Sequence, residues 1–190
     1  MKTKSMWLRL AVAVSAAAMM VSCSGEATET SAPVQLIVTH SENLARLDLA
    51  GGTRCDESLG TFNFRTILKN PALTGQFTDV RITRYRVSYI RTDGGTAVPA
   101  AHVTPVNFLV NATGSEGDAQ IFRTLRPEAF LQAPFAALRP ANGGRDPETG
   151  RPSIRMDVVV EFFGETLGGD AVYATSRHQL EFCYDCNGCS

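Results

Sequence analysis

The chain has 190 residues, with 18 Lys and Arg against 19 Asp and Glu and a formal net charge of −1; that gives room for about one ordinary domain and excludes a tandem array. An apolar fraction of 44% with 19% charged residues supports a packed core and excludes a wholly disordered chain, and the balanced charge argues against nucleic acid as a partner. Residues 1–22 hold Lys2, Lys4 and Arg9 but no acid, so a product beginning at Cys23 keeps 15 bases against 19 acids, a formal charge of −4, and loses Trp7, the only Trp.

In chain order the first feature is the apolar run from Leu10 to Val21, preceded by the three basic residues and followed by Ser22 and Cys23. It is about a dozen residues long, too short for a hydrocarbon core that needs about 20. A basic start, a short apolar stretch and a small-residue cleavage point make residues 1–22 a signal peptide. Residues 24–33, rich in Ser, Thr, Glu and Ala, have the composition of a tether. The run Met20-Val21-Ser22-Cys23 resembles the lipobox of bacterial lipoproteins. That resemblance implies that Cys23 becomes the first mature residue and carries acyl chains of the palmitate kind. Each buried methylene would add about 0.8 kcal/mol of membrane affinity. Ser24, with no Asp after the Cys, further implies a cell-envelope protein sorted to an outer membrane and facing periplasm or cell surface. Residues 23–33 are then the lipidated Cys and its flexible tether.

From Val34 onward alternation with period two, broken by Gly, Pro, Asn and Asp, predicts about seven short antiparallel strands. They fall at residues 34–40, 61–69, 80–91, 106–110, 119–125, 154–162 and 172–182. In the third, Val80 and Ile82 share one parity and Tyr85, Val87 and Tyr89 the other, which predicts a bulge near Thr83 and Arg84. The last two form a hairpin through residues 164–170. Residues 126–152 carry five prolines, and a structureless loop of that length is unusual in a compact domain. A helical turn from Pro127 is expected there, with Phe130, Leu131, Phe135 and Leu138 covering one end of the domain and residues 142–150 as an exposed tip. The whole pattern resembles an immunoglobulin or fibronectin type III sandwich spanning residues 34–182, with a Cys-rich tail at 183–190. The fold class is therefore all-β, an antiparallel immunoglobulin-like β-sandwich.

Beyond Cys23 the chain has Cys55, Cys183, Cys186 and Cys189. In an exported chain an even number predicts two disulfides, with three possible pairings. In an up-and-down count the strand after Cys55 starts where the last strand ends, so Cys55 is expected to bond one of the three tail cysteines. The two C-x-x-C spacings of the tail also suit a metal ion, with Cys55 or His178 as a fourth ligand, or thiol–disulfide exchange; disulfides are preferred for the compartment. Of His40, His102 and His178, the last shares a face with Leu180 and Phe182 and reads as a partly buried imidazole. Asp93, Asp118, Asp146, Glu148 and Asp170 lie in loops where calcium could bind, though without EF-hand spacing. Arg81, Arg84, Arg86 and Arg91, with Tyr85 and Tyr89 between them, give the third strand a basic edge that suits an anionic glycan or lipid headgroup, or simply a solvated face with acids opposite. No nucleophile, metalloprotease or phosphate-loop motif occurs. The expected protein is non-enzymatic, without a cofactor or metal, and held to the membrane by its lipid. A protein or glycan is its possible partner; the alternative is a metal-binding or redox-active lipoprotein using the tail.

Overall fold

A computed structural model describes residues 31–40, 46–50, 59–72, 75–112 and 119–186. The predicted signal peptide, Cys23, most of the tether, Cys55, Asp118 and Cys189 lie outside the described residues. Eight strands are present among those described: β1 (Val34–His40), β2 (Arg46–Asp48), β3 (Leu59–Leu68), β4 (Val80–Arg91), β5 (His102–Val110), β6 (Gln120–Arg123), β7 (Ser153–Thr166) and β8 (Ala171–Cys183). They form two sheets, β1-β3-β6 and β2-β8-β7-β4-β5. Hairpins β4–β5 and β7–β8 stay within one sheet, while the links β3 to β4, β5 to β6 and β6 to β7 cross between sheets. This is the immunoglobulin-like sandwich the alternation predicts. β2 is the strand the alternation misses: it is three residues long and pairs parallel to β8, so the larger sheet is not wholly antiparallel. A segment that short has no period to read.

The core follows from parity. Ile154, Met156, Val158, Val160 and Phe162 of β7 all point inward and are buried. On β4, Val80 and Ile82 are buried and then Tyr85, Val87 and Tyr89, with the register shift between Ile82 and Arg84. The bulge thus sits where the parity changes. Thr83 bridges it by donating its hydroxyl to the Phe163 carbonyl at 3.3 Å, and Gly164 sits opposite because a Cβ there would run into the Arg81 carbonyl. Between the sheets Phe162 meets Phe64 at 4.9 Å, Phe122 at 5.1 Å and Phe62 at 5.3 Å between ring centroids. Each such ring contributes about 1.5–3 kcal/mol by leaving water. Tyr85 and Tyr89 donate their hydroxyls to the carbonyls of Arg123 (3.1 Å) and Thr124 (2.6 Å), fastening β4 to the end of β6 across the core.

The two ends of the sandwich differ. At the entry pole Pro33 accepts a hydrogen bond from the Lys69 N–H at 2.9 Å, Ala32 is buried, and β1 begins. At the opposite pole β4, β6 and β8 end and residues 126–152 fold over. These form three 3₁₀ turns, Pro127–Leu131, Phe135–Leu138 and Pro140–Asn142. Phe135 and Leu138 are buried, and Phe135 lies 4.6 Å from Phe182, so the segment caps the core as expected. Leu131 does not: it is exposed, because the turn from Pro127 presents it outward. Nor is 142–150 wholly an exposed tip, since Asp146 is buried within it.

Candidate functional site

Among the described residues, the densest set of charged side chains lies at the capped pole around Arg91. Its guanidinium is 2% exposed and grips Asp93 with two hydrogen bonds, Nε to Oδ1 at 2.7 Å and Nη2 to Oδ2 at 3.0 Å. Nη2 also donates to Asp146 Oδ2 at 2.8 Å, Nη1 donates to the Ala97 carbonyl at 3.2 Å, and Glu148 stands 3.7 Å away. Three carboxylates therefore face one cation, and backbone donors hold the surplus charge. Asp93 accepts from the N–H groups of Gly95 and Arg155, and Asp146 from the N–H and hydroxyl of Thr149. Glu148 accepts from the Thr96 hydroxyl and from the N–H groups of Thr96 and Ala97.

This pattern decides what the cluster can do. Burial opposes the charged form of Asp93, but hydrogen bonds from Arg91 and from the Arg155 and Gly95 backbone outweigh it and hold the carboxyl at about 2. Asp146 is lowered in the same way by Arg91 and Thr149 against its burial, and Glu148 chiefly by the Thr96 hydroxyl. Carboxylates held this far down are poor general acids and weak bases at neutral pH. The arrangement is a latch tying residues 146–149 of the crossover to the end of β4. Of the carboxylates considered for calcium, Asp93, Asp146 and Glu148 do meet, but the cation at their centre is Arg91; Asp170 lies at the entry pole. Gly95 packs flat against the guanidinium, and a Cβ there would collide with it and crowd Glu148. Gly95→Ala is therefore expected to destabilise the fold by about 1–3 kcal/mol, measured as a shift in the urea unfolding midpoint with unchanged slope.

The tail is fastened beside the latch. Cys183 and Cys186 form a disulfide with Cα atoms 6.0 Å apart. Asp48, at the end of β2, accepts from the N–H groups of Asp185 (2.8 Å) and Cys186 (2.9 Å), so one carboxylate seats the loop. Its φ of 53° at Asp185 turns those two donors toward the same side. Cys183 is buried beneath Leu47. Of the tail cysteines, two are spent on each other and Cys189 lies outside the described residues. No group of three His, Cys, Asp or Glu able to hold a metal occurs among the described residues.

The basic edge of β4 resolves into two environments. Arg81, Arg84 and Arg86 point outward, but Arg91 is buried in the latch, and Tyr85 and Tyr89 belong to the core. Arg91 has the parity of Val87 and Tyr89, the signal that would have placed it inside. On the outer face Arg86 pairs with Glu161 across the β4–β7 ladder (3.6 Å), and Arg84 stacks over Phe163 at 4.8 Å. Arg177 pairs with Asp157, and Arg46 with Glu181 at 3.2 Å. This is the solvated face with acids opposite, worth about 0–1 kcal/mol per pair. His178 is half-buried, 6.1 Å from the Phe62 ring, as its parity predicts. His102, not singled out by pattern, is buried on β5, and burial pushes its imidazole below the ordinary value, against the opposing pull of the Arg123 backbone. Compared with known proteins, the chain matches no family model, no curated protein and no solved structure.

Proposed function

We propose that this chain is a lipid-anchored cell-envelope protein. Residues 1–22 are removed, Cys23 is acylated, and residues 23–33 tether a non-enzymatic immunoglobulin-like domain that binds a protein or glycan partner or has a structural role. The observation that carries this reading is in the sequence: a basic start, a short apolar run and Met20-Val21-Ser22-Cys23 precede a polar stretch, and the described sandwich follows it with β1 at Val34–His40. The latch at the capped pole supports a binding or structural role, because its carboxylates are committed to Arg91 and to backbone donors instead of being poised for proton transfer. The Cys183–Cys186 bond favours disulfides over a metal in the tail, since a metal would need those sulfurs as thiolates.

The test is the intact mass of protein extracted from membranes, native and denatured, with thiols alkylated before and after reduction. The expected product begins at acylated Cys23 and takes up alkylating agent only after reduction. Thiols that react once metal is stripped, with a matching native mass excess, would replace this reading with the metal-binding one. Retention of residues 1–22 without lipid would refute the anchor.

A further inference from the structure

We propose that the entry pole of the sandwich is a membrane-contact surface, with Phe77 and Leu167 seated in the interface of the bilayer that holds the lipid anchor. The inference rests on the anchor reading above and adds the face and the residues that meet the lipid. Phe77 is 67% exposed and Leu167 38% exposed, although both are large apolar side chains. They sit on two neighbouring tips, the turn Gln76–Thr78 before β4 and the β7–β8 hairpin. Backbone hydrogen bonds lock these tips together: the Leu167 N–H donates to the Asp79 carbonyl at 2.8 Å and the Gly168 N–H to the Phe77 carbonyl at 3.1 Å. Asp79 also accepts from the Ala112 N–H at 2.8 Å, and Thr66 donates its hydroxyl to the Asn111 carbonyl at 2.9 Å. The apolar pair is thus presented on a stitched platform.

The chain enters at this same pole, where Lys69 holds Pro33. From Cys23 to Ala32 there are nine residue steps, at most about 30 Å when extended and about 17 Å as a flexible chain. The strands of β4 and β7 are 12 and 14 residues long, so the opposite pole stands roughly 40 Å further away. An anchor this short keeps the Phe77 tip at high effective concentration near lipid and leaves the capped pole facing outward. Aromatic and aliphatic tips beside a lipid anchor supply the second attachment that a membrane-bound domain uses to fix its orientation.

The chain supplies its own probe, because Trp7 is the only Trp and falls within the segment removed on processing. Phe77→Trp, Leu167→Trp and, as a control on the exposed cap, Leu131→Trp each give a single-Trp mature protein. The acylated proteins are placed in phosphatidylethanolamine–phosphatidylglycerol vesicles with and without brominated acyl chains. Bromine is expected to quench the fluorescence of positions 77 and 167 at least twofold and leave position 131 unchanged. Equal quenching at all three positions, or none at 77 and 167 in protein whose mass shows acylated Cys23, would overturn the proposal while leaving the anchor intact. Blue-shifted emission at 77 without bromine quenching would place that side chain against protein, in its own fold or a second copy, and overturn the lipid contact. Protein lacking acyl chains altogether would overturn the anchor and this surface together.

Discussion

Replacing Arg91 with Met is expected to cost about 3–5 kcal/mol of unfolding free energy. The substitution keeps an unbranched side chain of similar length, so little volume is lost. What remains is Asp93 and Asp146, with side chains 1% and 0% exposed, facing one another without their cation. Arg91→Lys should recover only part of the loss, since an ammonium cannot reproduce the two-pronged grip on Asp93 together with the bond to Asp146. The triple variant Arg91→Met, Asp93→Asn, Asp146→Asn should recover more than the lysine, because it removes the uncompensated charge itself. If Arg91→Met proved as stable as the parent in urea unfolding, the latch would have no role in holding the crossover.

The same network sets how stability varies with acid. Asp93 is lowered from 3.8 to about 2 in the folded state, so the folded protein binds fewer protons than the unfolded chain between those values. Its contribution is complete above the unfolded value and is lost as the pH falls through that window. Asp146 acts in the same direction. His102 is also lowered, from 6.5, by burial; here too the unfolded chain binds the extra proton, so stability begins to decline as the pH drops below about 6.5. The parent should therefore lose stability in two stages. In Arg91→Met the acid stage should flatten or reverse, since protonating two stranded carboxylates relieves their repulsion. A pH series of unfolding midpoints separates the two proteins.

The sheets were legible in the sequence wherever a strand was long enough to show its period and had one face in water. β7 alternates through five buried residues, and β4 announces its own bulge by changing parity between Ile82 and Tyr85. β2 was not legible, because three residues held by pairing to β8 carry no pattern of their own. The latch was half legible. Parity alone puts Arg91 inside, but an arginine on an inward face conflicts with its ordinary preference for water. What resolves the conflict is Asp146, 55 positions away, and no local rule brings these two together. The Pro-rich crossover that delivers Asp146 reads as irregular chain, since its turns are 3₁₀ and too short for a helical period.

In the mature protein Cys55 is expected to be bonded to Cys189, and loss of that bond should be the larger of the two disulfide effects. Four cysteines follow Cys23, and Cys183 and Cys186 are joined to each other. Both remaining cysteines lie outside the described residues, but β3, which starts four residues after Cys55, begins at the capped pole where β8 ends. Sequence position alone left three pairings open; the short bond in the tail leaves one. The two bonds differ in what they restrain. Cys183–Cys186 closes a four-residue loop whose seat Asp48 already holds, worth about 2 kcal/mol in the chain-entropy model, whereas a Cys55–Cys189 bond closes about 130 residues and is worth about 5 kcal/mol. Cys189→Ser should therefore lower the thermal midpoint by well over twice the shift of Cys186→Ser and expose one alkylatable thiol, at Cys55. Peptide mapping without reduction checks the pairing directly: Cys55 found on Cys183 or Cys186, or found free, would refute it. The bond would tie the start of β3 in the smaller sheet to the tail beyond β8 in the larger one, closing the capped pole covalently beside the ionic latch, whereas the described tips of the entry pole are held by hydrogen bonds.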